Sequence, residues 1–460
     1  MDKNSQKCPN FAILGHFMRK IEPPPDFKKW LQTRNALKVQ GWIYDEEISK
    51  YVDHLNEKYY YWDKAKHMQP PEGMTPEDIW QLACIKRLLS AYKKTFGAYQ
   101  FRWFLNSQLN DLLHEFDLNI GGNLGTHSLI PKEDKHRYLI NSIMEEAIAS
   151  SQIEGAVTSR RVAKEMLRKN LPPKNKSEQM IHNNFQTIQR ILELKNEPLS
   201  EKSLLEIHLL VSRDTMHRTE TGAFRQTDDV LVIDTTDGSV VHTPPHISEL
   251  PRLMEDLYLF FNEGTGSPFV HPIVKACIIH FMIGFIHPFA DGNGRTARAL
   301  FYWYLLKKGY WLTEYMSISR LILRSKAQYA RAYQYSEIDS NDLTYFIKYQ
   351  LRTMKLAFYE LREYIRRKIE EKRRLTDLIR IPGVNDRQAL ILKWFYEEPK
   401  ARMSVREAQN RLGVSNQTAR NDLGHLKDMH LLETISLDQK SEAYIRTEAF
   451  ESLLEQWRIK

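Results

Sequence analysis

The sequence predicts a mainly α-helical protein, and three observations carry that prediction. Leu, Glu, Lys, Arg and Ala abound, while Gly and Pro contribute 19 residues each among 460, a balance that favours helix. Apolar residues recur at helical spacing in long runs such as Tyr138 to Glu154 and Glu178 to Leu194. β-branched runs are short and confined to residues 230–243 and to the stretch after Leu431.

Length alone argues for two or three domains. The formal charge of +8 suits phosphate or nucleic acid, and a solvated surface explains it equally well. Cys8, Cys84 and Cys277 lie far apart with no metal-ligand spacing, which argues for a reducing compartment and against a structural zinc site. The start, MDKNSQKCPN, has no apolar run after its charges and so lacks the pattern of a secretory signal. The most apolar stretch, Ala276 to Ala290, has 15 residues and two histidines. A membrane span needs roughly 20 apolar residues, so this stretch reads as a buried helix, and a cytoplasmic protein with no membrane partner is expected.

Along the chain, residues 1–135 form an aromatic-rich, mostly helical N-terminal region broken at Pro23-Pro24-Pro25, Pro70-Pro71 and Gly121-Gly122. Residues 136–360 form the next unit. It opens with helix 138–155, continues with helices at Glu178 to Leu194 and Glu201 to about Met216, and then changes character. Val230 to Ile233 and Ser239 to Thr243 flank the polar segment Asp234 to Gly238 and read as a β-hairpin turning at Asp237-Gly238. Helices resume at Leu250 to Asn262, at Pro272 to Ile286 and from about Gly294 to Lys308, the last stopped by Gly309. Residues 361–382 form a basic connector with eight Arg/Lys against four Asp/Glu, and residues 383–460 form a separate module.

The chemistry concentrates in His287-Pro288-Phe289-Ala290-Asp291-Gly292-Asn293-Gly294-Arg295-Thr296-Ala297-Arg298. Two glycines around an asparagine, opening directly into a helix, gather backbone N–H groups and the positive helix end at one point, which suits a phosphate chain. Arg295 and Arg298, three apart on the first turn, share a face and can grip further phosphate oxygens. Asp291 stands where it can hold Mg²⁺ bridging those oxygens. His287 ends the preceding helix and can take a proton from an attacking hydroxyl. Phe289 should point into the core and fix the loop. Taken singly, a His before Pro is ordinarily a capping or core histidine, and Asp-Gly-Asn-Gly is ordinarily a turn; only the conjunction points to chemistry.

The string fits the Fic signature H-x-F-x-(D/E)-G-N-G-R-x-x-R at all eight specified positions, and the chain resembles that family over roughly residues 135–360. The resemblance implies an all-helical core with a β-hairpin flap, ATP as substrate and Mg²⁺ as cofactor. It implies His287 as general base, Asp291 as metal ligand, Gly292, Asn293 and Gly294 as the anion hole, and Arg295 and Arg298 on the β- and γ-phosphates. AMP would pass to a Ser, Thr or Tyr hydroxyl of a target protein. The related Doc kinases carry Lys where this chain has Gly294, a departure that favours AMP transfer. The flap strand Val230, Leu231, Val232 and Ile233 would hold the target segment as an added strand.

Ser150-Ser151-Gln152-Ile153-Glu154-Gly155 resembles the family's inhibitory motif, (S/T)-x-x-x-E-(G/N), and precedes the core as in one class of that family. Glu154 sits in the last turn of its helix, where the dipole disfavours a carboxylate. A compensating cation is expected, with Arg298 the candidate, and Ser150 on the same face is expected to help fix Glu154. Such a pair would remove Arg298 from ATP and act as a built-in brake.

In residues 383–460, three helices at Gln388 to Tyr396, Ser404 to Leu412 and Ser415 to Met429, with the turn Gly413-Val414-Ser415, resemble a winged helix-turn-helix domain. Ala419, Leu423 and Leu426 should face its core, leaving Asn416, Gln417, Arg420 and Asn421 outward. Twelve Arg/Lys balance twelve Asp/Glu there, so DNA and protein partners both stay open, as does a homodimer. Two readings of the whole chain therefore stand. One is an auto-inhibited adenylyltransferase, the other a DNA-binding regulator whose core senses nucleotide or transfers another phosphate-containing group.

Overall fold

A computed structural model of the chain describes residues 11–14, 21–121, 135–234, 238–263, 268–379, 381–438 and 441–458. Residues 1–361 and 362–460 form two compact units. Among the described residues no helix is long and apolar enough to cross a membrane.

The first unit opens with strand β1 (Phe11–Leu14) and five helices, α1 (Phe27–Gln32), α2 (Ala36–Tyr44), α3 (Glu46–Lys58), α4 (Trp62–Ala65) and α5 (Pro76–Ser90). Thr75 and Asp78 close a reciprocal capping box at the head of α5. Asp78 also accepts from Trp30 Nε1 at 2.8 Å and Arg34 Nε at 2.7 Å, which ties α1 to α5. An antiparallel hairpin follows, β2 (Tyr92–Phe96) and β3 (Tyr99–Trp103), inside the region expected to be mostly helical. Its signal was present in the sequence: Phe101 and Trp103 alternate with polar residues after a two-residue Gly97-Ala98 turn. Phe96, Phe101 and Trp103 are buried.

Then come α6 (Ser107–Phe116), α7 (Lys135–Ile153), α8 (Arg160–Arg168), α9 (Lys176–Leu194) and α10 (Glu201–Ser212). The last ends four residues short of its expected limit. The hairpin expected at residues 230–243 is present as β4 (Leu231–Asp234) and β5 (Val240–His242), antiparallel, with a register shift at Val232/Ile233. Residues 235–237 of its turn lie outside the described residues. Beyond them, α11 (Leu250–Asn262), α12 (Pro272–Ile286) and α13 (Asn293–Lys307) lead to α14 (Ile318–Arg324), α15 (Lys326–Ile338) and α16 (Thr344–Ile379). The basic connector is therefore not a loop: most of it is the distal part of α16.

Thirteen of the fifteen residues of α12 are buried, so it is covered on every side, as its unbroken apolar run predicts. It packs on α13, itself buried from Arg295 to Leu306. The loop between them is thereby fixed in the centre of the unit. Buried His280 of α12 has both ring nitrogens matched: Nε2 meets Tyr329 Oη at 2.7 Å, and Nδ1 meets Gln350 Nε2 at 3.2 Å.

The second unit holds α17 (Asp386–Glu397), α18 (Val405–Leu412), α19 (Asn416–Asp428), the antiparallel pair β6 (Leu432–Asp438) and β7 (Ser441–Arg446), and α20 (Phe450–Arg458). Ser404 and Ser415 cap α18 and α19. Ala419, Leu423 and Leu426 are fully buried, while Asn416, Gln417, Arg420 and Asn421 are exposed, as expected. The final helix α20 was not anticipated; Phe450 and Leu454 pack it into the module's core.

One packing constraint has a testable sign. Gly284 lies inside α12, where Ala would ordinarily be preferred by up to about 1 kcal/mol. A Cβ there would meet Tyr333 Cε1 and Oη at 2.7 Å. Gly284→Ala should destabilise the protein by about 1–3 kcal/mol in urea unfolding; a stabilised variant would contradict this packing.

Candidate active site

The loop after α12 is shaped by its own backbone. His287 takes the left-handed conformation (φ 50°) and caps α12, its N–H bonding to Ile283 O at 3.0 Å. Phe289 is fully buried and stacks on His208, with ring centroids 3.7 Å apart. The side chain of Asn293 accepts from Phe289 N at 3.0 Å and donates to Phe289 O at 2.8 Å. Both ends of that amide thus clamp the loop. Gly292, at φ 86°, precedes the first turn of α13, whose leading N–H groups have no intrahelical acceptor.

His287 has the geometry of a base. Its Nδ1–H donates to Gly284 O at 3.2 Å, which leaves a lone pair on Nε2, and Nε2 is buried with no partner. Burial, and then the charge of His242, push its pKa down to about 4. The imidazole is therefore neutral at physiological pH.

Arg295 and Arg298 are both buried. Arg295 Nη1 donates to Val211 O at 2.9 Å, while its Nε has no acceptor. Arg298 Nε donates to Ser150 Oγ at 2.8 Å, and its Nη2 donates to Ser150 O at 3.0 Å and to Glu154 Oε1 at 2.8 Å; Nη1 is unpartnered. Burial acts to lower the Arg298 pKa, but Glu154 foremost holds it above the ordinary value. The ion pair expected of Glu154 is present. Ser150 acts through the cation: its hydroxyl and carbonyl accept from Arg298 Nε and Nη2 and so brace the guanidinium that Glu154 holds. A Cβ on Gly294 would meet Glu154 Oε1 at 2.2 Å, so the carboxylate lies against the head of α13.

Asp291 is half exposed and accepts from Gly292 N at 2.5 Å through Oδ1. Among the described residues no cluster of three or more His, Cys, Asp or Glu could hold a metal unaided. A lone carboxylate fits Mg²⁺, which ordinarily takes one or two carboxylates and completes its shell with phosphate and water.

On the flap, Val230 and Val232 are buried, and Leu231 and Ile233 half-buried. The edge of β4 on which a target segment would add is not bare: β1 pairs with it in parallel, Phe11 opposite Leu231 through Leu14 opposite Asp234. Such pairing satisfies the backbone groups that an edge strand otherwise exposes.

Four residues outside the motif hold the site, and the sequence pattern gave no sign of them. His208 Nε2 donates to Asp291 O at 2.9 Å, and its Nδ1 accepts from Gly222 N at 3.2 Å. Glu146, buried on α7, accepts from Tyr302 Oη at 2.8 Å and Ser319 N at 2.9 Å. Lys326 Nζ reaches the last carbonyls of α7, Gln152 O at 3.0 Å and Ile153 O at 3.2 Å, a cation where the helix dipole favours one. His242 on β5 meets Glu337 Oε2 and Phe285 O, each at 2.8 Å. Only an imidazolium donates through both nitrogens to a carboxylate and a carbonyl.

A neutral histidine in one cleft with Arg298, whose Nη1 is unpartnered, beside a helix N-terminus has the chemistry that suits a phosphate-bearing ligand. Comparison with known proteins makes this specific. The family model described as Fic/DOC family matches residues 198–305, one for a domain of unknown function (DUF4172) matches residues 98–172, and one for a DeoR-like helix-turn-helix domain matches residues 387–435. The chain thus carries a Fic/DOC family domain followed by a DeoR-like helix-turn-helix domain. Its sequence is 35% identical over 119 residues to a protein adenylyltransferase Fic of Nematostella vectensis (25% of each chain). It is 36% identical over 116 residues to that of Culex quinquefasciatus (25% of this chain, 21% of that one). The chain thus spans about a quarter of the length of these curated relatives. In fold it is similar to a Fic family protein from Desulfovibrio desulfuricans G20 (TM-score 0.50, 23% identity, 76% of this chain and 99% of that one).

The His242 contacts set a pH test. Glu337 raises the His242 pKa above its ordinary 6.5 against the opposing effect of burial. A raised folded pKa stabilises fully below the unfolded value, and the contribution is lost as pH rises through the folded one. His242→Asn should therefore cost more stability at pH 5.5 than at pH 9 in thermal unfolding. Equal losses at the two pH values would contradict a doubly donating imidazolium.

Proposed function

We propose that the chain is an auto-inhibited protein adenylyltransferase. The observation that carries this reading is the neutral, unpartnered Nε2 of His287 in one cleft with buried Arg298, whose guanidinium is paired to Glu154. ATP would lie with its phosphates against the head of α13, Arg295 and Arg298. A Ser, Thr or Tyr hydroxyl of a target protein attacks the α-phosphorus. The new O–P bond forms as the bond to the β-phosphate oxygen breaks, the hydroxyl proton passes to His287 Nε2, and pyrophosphate leaves. Asp291 would hold Mg²⁺, which neutralises charge on the phosphates. The chain's own part is to position and to neutralise. The relatives named protein adenylyltransferase Fic support this chemistry.

The brake rests on Glu154. While its carboxylate holds Arg298 and lies against Gly294, the γ-phosphate has no seat there. The cleft encloses about 70 Å³, small beside the 300–1,000 Å³ of ordinary ligand pockets. Glu154→Gly should raise self-labelling from α-labelled ATP roughly tenfold or more, equivalent to losing about 1.4 kcal/mol of restraint. Arg298→Ala should cancel that gain, and His287→Ala should abolish transfer while leaving ATP bound. With the His287 pKa at about 4, kcat/KM should not fall through this group until the pH drops below roughly 5. Unchanged labelling in Glu154→Gly would remove the brake; wild-type transfer by His287→Ala would remove the base.

The helix-turn-helix match favours a second activity, DNA binding by residues 383–460. The exposed amides and guanidinium of Asn416, Gln417, Arg420 and Asn421 on α19 suit base edges in a major groove. In the full chain, Arg420→Ala should reduce discrimination between sequences without changing the salt dependence. A genomic DNA pool that yields no enriched sequence at low salt would favour a protein partner instead.

A further inference from the structure

A second concavity, of about 700 Å³, lies in the first unit and shares no wall residue with the His287 cleft. It is bounded by Tyr59–Lys64, by α14 and α15, and by the first half of α16. Helix α15 serves both: Tyr329 and Tyr333 face the first cleft, Arg331 and Tyr335 the second.

Its charge is one-sided. Lys64, Arg324, Arg331, Lys348 and Arg352 line it, against Asp63 and Glu360. Glu360 is ion-paired, and Asp63 is engaged through one oxygen while its Oδ1 stays unpartnered. Glu360 pairs with Arg324 and Arg320, and Asp63 accepts from Tyr335 Oη at 2.5 Å. Lys64, Arg331 and Arg352 form no ion pair with any described residue. Lys348 is buried, and its Nζ meets the carbonyls of Lys58 and Tyr59 and lies over the Tyr60 ring at 5.8 Å, with no carboxylate among the described residues paired to it. Burial first, and then Arg352, Lys64, Arg87 and Lys58, push its pKa down to about 7. Like charges facing one another in a concave wall repel, and a bound anion relieves them.

The remaining wall is aromatic. Tyr60, Tyr61, Tyr335, Tyr345 and Tyr349 line the same space, with Tyr61 and Tyr335 stacked at 4.0 Å and 10°. Flat rings beside unpaired guanidinium groups accept a planar base and a phosphate together. The volume is that of a small-molecule site.

We propose that this cleft binds a nucleoside phosphate, its phosphate held by Lys348, Arg331 and Arg352 and its base against the tyrosines. It is a site apart from the one at His287, on the opposite face of α15. Binding of the anion restores the charge on Lys348, so it takes up a proton near neutral pH.

The probes are AMP and inorganic phosphate, titrated calorimetrically into the full-length protein, with Arg331→Ala/Arg352→Ala separating this cleft from the one at His287, which those residues do not line. Buffers of high and low ionisation enthalpy at pH 7 read the proton. AMP is expected to bind more tightly than phosphate, with uptake of a fraction of a proton, since burial pushes the Lys348 pKa down to about 7. Arg331→Ala combined with Arg352→Ala should weaken AMP roughly tenfold or more, and Lys348→Met should remove the proton uptake. Undetectable AMP binding at millimolar concentration, an unchanged affinity in the double variant, or AMP no tighter than phosphate would each overturn the assignment. A separate Arg298→Ala variant that fails to lower ATP binding would count against the catalytic reading and leave this one standing.

Discussion

Two guanidinium groups kept charged inside an apolar helical hairpin set the terms for everything around them. Taking Arg295 and Arg298 out of water costs several kcal/mol each unless their N–H groups find acceptors. The fold supplies some from a distance: Val211 O from the end of α10, Ser150 from the last turn of α7 and Glu154 from just beyond it. It leaves Arg295 Nε and Arg298 Nη1 without one. A protein selected for stability alone would match those groups or replace them. Their incomplete satisfaction, beside the neutral His287, suits an anionic ligand.

The same hairpin explains why a single loop can be so exact. Helix α12 is buried on every side, α13 nearly so, and the chain between them has no freedom to adjust. The Asn293 amide locks it to Phe289, Phe289 stacks on His208, and His208 in turn holds the carbonyl of Asp291. Each link fixes the next, so the imidazole of His287 and the head of α13 keep their separation without help from a ligand.

How much of this was legible in the sequence follows from distance along the chain. The loop His287–Arg298 is contiguous, and its residue types carry their chemistry at a spacing that can be read directly. Glu154 was legible because a carboxylate at a helix C-terminus asks for a cation. The supporting residues were not. His208 lies 83 positions from its partner, and His242 lies 95 from Glu337; a lone histidine on a helix or strand carries no trace of what it will meet. Ser150 was legible as a residue on the face of Glu154, but the bond by which it acts was not, because that depends on where the long arm of Arg298 reaches. The hairpin Tyr92–Trp103 was missed although its alternation was visible, since aromatic residues in a helix-rich region read as helix faces.

The glycine at position 294 has a thermodynamic consequence. The space above its α-carbon is the space Glu154 fills, and it is also where a phosphate would meet the helix. Two occupants of one volume exclude each other, and linkage makes that exclusion reciprocal. Under the proposed reading, whatever loosens the end of α7 raises nucleotide affinity by the same factor by which nucleotide loosens α7. Nucleotide concentration then acts as a rheostat on the order of that helix. The contacts of Lys326 and Glu146, which tether α7 without touching the ligand site, set the point around which it works.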